Sequence, residues 1–171
     1  ELVAEFEHTI LDELDMYREA ANASLLKRNF ENSDMMYVPT VYWDYCRTNI
    51  LVMERVFATK INNIDALKEK NVNLEKLAIN GVTIFFTQLL RDNFFHADMH
   101  PGNLFIDTTN PESPRYIGVD FGIMGQLSEQ DQAYIAENLL AFFKRDYNQV
   151  ARLHIESGWV PADTRLEQFA S

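Results

Sequence analysis

The sequence predicts an α+β protein, mostly helical, on three observations. Several stretches repeat their apolar residues every three to four positions, residues 74–91 most clearly. Two short apolar runs, Leu104-Phe105-Ile106 and residues 116–119, flank a loop at 107–115 that holds two prolines, as paired strands do. The chain has 171 residues and is 47% hydrophobic, with 12 Phe and 7 Tyr, enough material for one well-filled core.

Each element follows from local pattern. Residues 1–31 carry Leu2, Phe6, Ile10, Leu14, Tyr17, Ala21 and Leu25 near helical spacing and predict one long helix closed by Asn32-Ser33-Asp34. Residues 36–41, around Pro39, and residues 50–56, after the turn Cys46-Arg47-Thr48-Asn49, predict two strands. Asn63-Ile64-Asp65 opens a short polar helix. Residues 74–91 are apolar on most faces, which predicts a helix central to the core. Ser128-Glu129-Gln130-Asp131 caps a helix that runs to about Lys144. Asp146 with Gln149 has the spacing of a capping box for a last helix ending at Gly158.

Composition excludes some partners. The formal charge is −11 and no Lys/Arg-rich block interrupts it, which argues against nucleic acid and against electrostatic docking on anionic lipid. A small polyanion bridged by a divalent cation is compatible with that charge. Cys46 is the single cysteine, so an internal disulfide and a cysteine-based zinc site are excluded. No apolar run approaches the roughly 20 residues of a membrane span. The chain opens at Glu1 inside an acidic helix-forming stretch, and this ragged start leads us to expect a soluble piece of a longer protein.

The chemistry is concentrated in His96-Ala97-Asp98-Met99-His100-Pro101-Gly102-Asn103 and Val119-Asp120-Phe121-Gly122. Phosphoryl transfer from ATP needs positioning and charge neutralisation more than covalent chemistry. Kinases supply these with a loop Asp facing the acceptor, an Asn five residues later on magnesium, and an Asp-Phe-Gly element whose Asp holds magnesium against the phosphates. Asp98 and Asn103 have that spacing, and Asp120 ends the second strand of the pair. Pairing would bring Asn103 and Asp120 to one end, as two oxygen ligands of one hard cation require. A transition-metal site at His-x-Asp-x-His is the weaker alternative, since the spacing suits no zinc motif. His96 is better read as a structural residue bonding loop backbone. The fold expected is therefore a protein-kinase-like large lobe over residues 57–171, with catalytic loop and Asp-Phe-Gly element. Residues 1–56 would be the remnant of the small lobe, its acidic helix and two strands.

Asp12, Glu13, Asp15 and Glu19 form an acidic cluster on the first helix. Asp12, Asp15 and Glu19 share one face, where like charges repel by a few tenths of a kcal/mol per pair. A solvated acidic face is one reading; the other is the small-lobe Glu that ion-pairs the ATP-binding Lys. That Lys would lie upstream, and Lys27 and Arg28 sit in the wrong element to replace it. Around Met53-Glu54-Arg55-Val56 the second strand would enter the hinge, where backbone at Glu54 and Val56 would meet an adenine edge.

Glu13-Leu14-Asp15, Arg18-Glu19-Ala20-Ala21-Asn22, Tyr37-Val38-Pro39, Val52-Met53-Glu54-Arg55, residues 94–105 and 116–122, and Ser157-Gly158-Trp159-Val160-Pro161 together resemble the UbiB/ADCK family of atypical kinase-like ATPases. The resemblance covers nearly the whole chain. It implies a protein-kinase-like fold, magnesium and ATP as cofactors, ATPase activity, and service in ubiquinone biosynthesis on the cytoplasmic side of a bacterial inner membrane. Ubiquinone precursors or lipid and other quinone-biosynthetic enzymes are the implied partners, and nucleic acid is not. By the same resemblance Glu13 and Asp15 match the family's regulatory Glu-x-Asp, Glu19 the Glu that pairs the nucleotide Lys, Asp98 the catalytic-loop Asp, and Asn103 and Asp120 the metal ligands. The family's Lys-x-Gly-Gln, Ala-rich loop and nucleotide Lys are not in this sequence, so the piece alone is expected to bind and turn over ATP poorly.

Two other functions compete. A small-molecule phosphotransferase of the aminoglycoside or choline kinase kind uses a similar loop, but has no use for Glu13-x-Asp15. A non-catalytic scaffold for quinone-biosynthetic enzymes is disfavoured by the intact Asp98, Asn103 and Asp120 set.

Overall fold

A computed structural model describes residues 15–158 and 160. In chain order the elements are α1 (Met16–Asn29), β1 (Met36–Tyr37), β2 (Thr59–Lys60), α2 (Ile64–Glu69), α3 (Leu74–Phe86), β3 (Phe95–His96), β4 (Leu104–Asp107), β5 (Arg115–Gly118), β6 (Met124–Gly125), α4 (Glu129–Phe143) and α5 (Tyr147–Glu156). The α+β class expected from the sequence is the one observed. The chain divides into two compact units, Glu1–Gly125 and Gln126–Ser171.

In the first unit, helix α1 begins later than its apolar period suggests. Asp15 has extended backbone, and its carboxylate accepts the Tyr17 N–H at 3.0 Å, so it caps a helix that starts at Met16. The expected uninterrupted helix over 1–31 therefore does not pass through Asp15; Glu13 and the rest of residues 1–14 lie outside the described residues. Ala20, Ala23 and Leu26 form the fully buried stripe of α1.

Strands β1, β5, β4 and β2 form one sheet in that order. Strand β1 runs parallel to β5, while β5–β4 and β4–β2 are antiparallel. The strand expected over 36–41 stops after Tyr37, because Pro39 has no N–H to continue a ladder. The strand expected over 50–56 is absent. That segment makes single bridges, Val41 with Met53 and Arg47 with Ile50, and curls around Cys46. The Cys46 thiol is fully buried, lies 3.4 Å from the Tyr42 carbonyl and accepts the Val52 N–H at 3.5 Å. Burial of one small side chain has replaced strand pairing here.

Helix α3 runs on through a π turn at Thr87–Arg91, so the predicted boundary at 91 holds. Its position is less central than its composition implies: Leu77, Asn80, Ile84 and Gln88 face inward, while Ile79 and Val82 are exposed. The main core joins α1 to Met36, Val38, Val41, Cys46, Ile84, Phe94 and Phe121. A smaller cluster, Leu67, Val72, Leu77 and Ile106, fills the space by α2.

The second unit is a helix pair. Ser128 caps α4 by accepting the Asp131 N–H at 3.1 Å, as predicted. Asp146 accepts the Gln149 N–H at 3.0 Å, yet its own N–H is taken by the Ala141 carbonyl, so the capping box is only half formed. Ala141, Ala151 and Leu153 are the buried residues of the pair. Among the described residues no helix is long and apolar enough to cross a membrane.

Candidate functional site

The site is built on the hairpin β4–β5. Leu104 pairs with Gly118, and the Val119 N–H reaches the Asn103 carbonyl at 3.2 Å, extending the ladder one step beyond the strands. That step places residues 103 and 120 side by side. The Asn103 amide donates from Nδ2 to Asp120 Oδ2 at 2.7 Å, and Asp120 Oδ1 accepts the Gly122 N–H at 3.1 Å. Among the described residues the Asn103 amide oxygen has no partner. Asp120 adds a carboxylate, and both are the hard oxygen donors that magnesium prefers.

His96 holds the loop together. Its Nδ1 accepts the Asp98 N–H at 3.1 Å, so the ring proton is on Nε2, which donates to the Asp120 carbonyl at 2.9 Å. Both ring nitrogens are engaged, which removes His96 from any transition-metal set and supports its structural reading. His100 Nδ1 accepts the Gly102 N–H at 3.0 Å, and a Cβ on residue 102 would lie 2.8 Å from that nitrogen. Glycine at 102 is what lets the ring sit there. Asp98 is exposed, and its side chain has no protein partner among the described residues.

A second ring of contacts was not legible from the motif. Gln88, fully buried on the π turn, accepts the His96 N–H on Oε1 at 3.1 Å, and its carbonyl accepts the Phe94 N–H at 3.0 Å. A π turn shifts one residue out of helical register, a device common beside functional sites. From α1, Glu19 Oε1 accepts the Phe121 N–H at 3.1 Å, and Asn22 Nδ2 donates to the Phe121 carbonyl at 2.8 Å. The Phe121 ring is fully buried in the core cluster that holds Ala20, Ala23 and Leu26. Gly118 makes room for it, since a Cβ there would stand 3.3 Å from the ring. Glu19 carries the electrostatic consequence: burial pushes its carboxyl above the ordinary range, the Phe121 N–H partly offsets the rise, and the Asp120 carboxylate adds to it.

The segment expected to form the hinge is not a strand, and Glu54 is fastened within it by its side chain. The Glu54 carboxylate accepts from the Tyr37 hydroxyl and, at 3.0 Å, from the Thr40 N–H. These two bonds, the Tyr37 one first, hold its carboxyl below the usual range. The Glu54 N–H donates to the Thr40 carbonyl at 2.7 Å. Among the described residues, the Glu54 carbonyl and the Val56 N–H have no backbone partner. Lys27 and Arg115 lie over the Tyr37 ring, 5.2 and 5.0 Å from its centroid, and the Lys27 ammonium donates to the Thr40 hydroxyl. The structure thus brings Glu19, Asn103 and Asp120 into one bonded group, leaves Asp98 exposed on its loop, and keeps Glu54 in a separate network. Asp15 is engaged as a helix cap.

Residues 1–154 match the family described as the ABC1 atypical kinase-like domain. The chain belongs to that family. It is 59% identical over 169 residues to "Probable protein kinase UbiB" of Pseudomonas fluorescens (strain SBW25), covering 99% of this chain and 32% of the relative. The protein of the same name from Marinobacter nauticus is 59% identical over 169 residues, and that from Photorhabdus laumondii 57%, each covering 99% of this chain and 31% of the relative. This ABC1 chain therefore spans about a third of the length of the curated relatives it matches. Among solved structures it is similar to the Mycobacterium tuberculosis protein Rv3197 in complex with erythromycin, with a TM-score of 0.63 and 18% identity, covering 90% of this chain and 37% of that one. The fold is protein-kinase-like.

Proposed function

We propose that this ABC1 domain is the magnesium- and phosphate-handling part of an ATP-dependent protein serving ubiquinone biosynthesis. The observation that carries the reading is the 2.7 Å contact between Asn103 and Asp120 at one end of the β4–β5 pair, with Asp98 five residues before Asn103 on the connecting loop. Asp120 and Asn103 would hold magnesium. Magnesium is commonly bound by one or two protein oxygens, waters and substrate phosphates rather than by an all-protein cage, which fits this sparse donor set. When bound, the ion supplies charge neutralisation to the phosphates.

The chain's own residues then have distinct tasks. Asp98, exposed and without a side-chain partner among the described residues, orients the attacking water or hydroxyl and accepts its proton. Glu19 offers its carboxylate to the nucleotide-gripping Lys supplied by another part of the protein. The Glu54 carbonyl and the Val56 N–H are the backbone pair facing the adenine edge. Residues 1–56 act as the remnant of the small lobe and 57–171 as the large lobe. Glu13 and Asp15 belong to the regulatory Glu-x-Asp that disfavours a protein acceptor, so hydrolysis of ATP is favoured over transfer to protein. The ubiquinone role rests on the relatives named UbiB. Ubiquinone precursors or lipid, and other quinone-biosynthetic enzymes, are the partners we assign, at the cytoplasmic face of a bacterial inner membrane.

The test uses the full-length protein carrying Asp120→Asn. Purified, it should lose magnesium-dependent ATPase activity, and it should fail to restore ubiquinone in a strain lacking the gene. Restored ubiquinone would overturn the ATP-dependent reading and leave the scaffold.

A further inference from the structure

The Phe121 peptide is gripped from both sides by a single turn of α1. Glu19 takes its N–H at 3.1 Å and Asn22 gives a hydrogen bond to its carbonyl at 2.8 Å. Residues three apart share a helix face, so one rigid surface presents an acceptor and a donor to one peptide unit. The two bonds join residues 102 and 99 positions apart in the chain, and the ring between them is fully buried against the same helix. Asp120, the preceding residue, is held through its carbonyl by His96 and through its carboxylate by Asn103 and the Gly122 N–H. A backbone flip that would carry Asp120 out of the site must break the α1 bonds and expose Phe121.

We propose that Asn22 is a positioning residue: with Glu19 it latches the Asp-Phe-Gly element to α1, so that the helix and the Asp120 carboxylate move as one body. In kinases the packing of this Phe sets the active or inactive state. Here the latch holds the Phe-buried state. Asn22 serves this purpose because its side-chain amide supplies the N–H donor that a carbonyl needs; Glu19 serves because it accepts. The inference rests on the assignment of Asp120 to magnesium only for its functional consequence. The latch itself is a statement about hydrogen bonds.

The experiment therefore reads both levels on the full-length protein. Backbone amide exchange is followed across the segment 118–124 and, for reference, in α4. With Asn22→Ala, exchange at Phe121 and Gly122 should rise at least tenfold while α4 is unchanged. The magnesium concentration for half-maximal ATPase should rise several-fold with the ATP half-saturation unchanged. Glu19→Gln, which keeps the acceptor oxygen, should leave exchange at Phe121 close to wild type, whereas Glu19→Ala should raise it as Asn22→Ala does. Where Asn22→Ala does not fold, Asn22→Asp, which keeps the size and removes the N–H donor, takes its place and should raise exchange at Phe121 and Gly122 in the same way. Exchange unchanged in Glu19→Ala, or raised equally along the whole chain, would overturn the latch. Loss of ATPase activity in every protein, wild type included, would remove the proposed function and leave the exchange result to judge the latch alone.

Discussion

The two ends of the candidate site are held by different means. At the proposed metal end, the segment from Phe94 to Gly122 is cross-tied by His96 and fastened from outside by Gln88, Glu19 and Asn22, through bonds that reach α1 and the π turn after α3. At the proposed hinge end, the segment from Thr40 to Val56 has isolated bridges, a buried Cys46, the Glu54 carboxylate bonded to Tyr37, and bonds to α1 spread along its length: Met16 N–H to the Thr48 carbonyl, the Tyr17 hydroxyl to the Cys46 carbonyl and Lys27 to the Thr40 hydroxyl. The difference lies in where the bonds converge: at the first end they meet on His96, Asp120 and Phe121, and at the second they are spread along the segment. Ligands of a cation must be held to a fraction of an ångström, and that demands over-determined backbone. A segment that meets a flat base edge through backbone groups needs only a few fixed points.

The comparison can be broken most severely at Asp120. Replacing it with Asn should lower magnesium-dependent ATPase of the full-length protein by at least about a hundredfold, with little change in the unfolding midpoint, because its charge rather than its packing is used. A comparable loss of stability would show that the carboxylate is mainly structural. Phe121→Ala acts through packing instead. A fully buried Phe reduced to Ala should cost about 3–5 kcal/mol in urea unfolding. Glu54→Ala tests the looser end: it removes two acceptor contacts at a half-exposed position and should cost only about 1 kcal/mol. Equal losses at Phe121 and Glu54 would erase the contrast between the ends.

The smallest effect concerns pH. Glu19 has its carboxyl raised in the fold by burial, so the native state binds a proton more readily than the unfolded chain. Its contribution to stability is complete below the ordinary Glu range and is lost as pH rises through the raised value. Glu19→Gln, a mimic of the protonated form, should therefore be slightly more stable than wild type at neutral pH, with the difference vanishing below the ordinary Glu range. Thermal melts across that window check it, and a difference that persists in acid would assign the effect to something other than ionisation.

Much of this was legible in the residues. The caps at Ser128 and Asp146, the helix reaching Arg91 and the β4–β5 pair were readable because each depends on neighbours a few positions away. The failures have separate causes. Residues 50–56 have the composition of a strand, but a strand needs a partner, and Pro39 and the buried Cys46 deny it one. The strands β3 and β6 are two residues each, too short to carry any period. The helix over 1–31 was over-extended because apolar spacing continues through Asp15, whose capping geometry starts α1 at Met16.

The Asp98–Asn103 spacing, the Asp120-Phe121-Gly122 element and the Pro and Gly that shape their loops were determined by the sequence itself, because turn chemistry and short-range spacing act within a few residues. Only the tertiary structure decided that Glu19 and Asn22 close on the Phe121 peptide, that Gln88 holds His96, and that Glu54 ties to Tyr37. Those contacts join chain segments up to 102 positions apart. Nothing local selects the Glu19 and Asn22 contacts; they form when α1 buries its Ala20, Ala23 and Leu26 stripe and so brings its polar turn against Phe121.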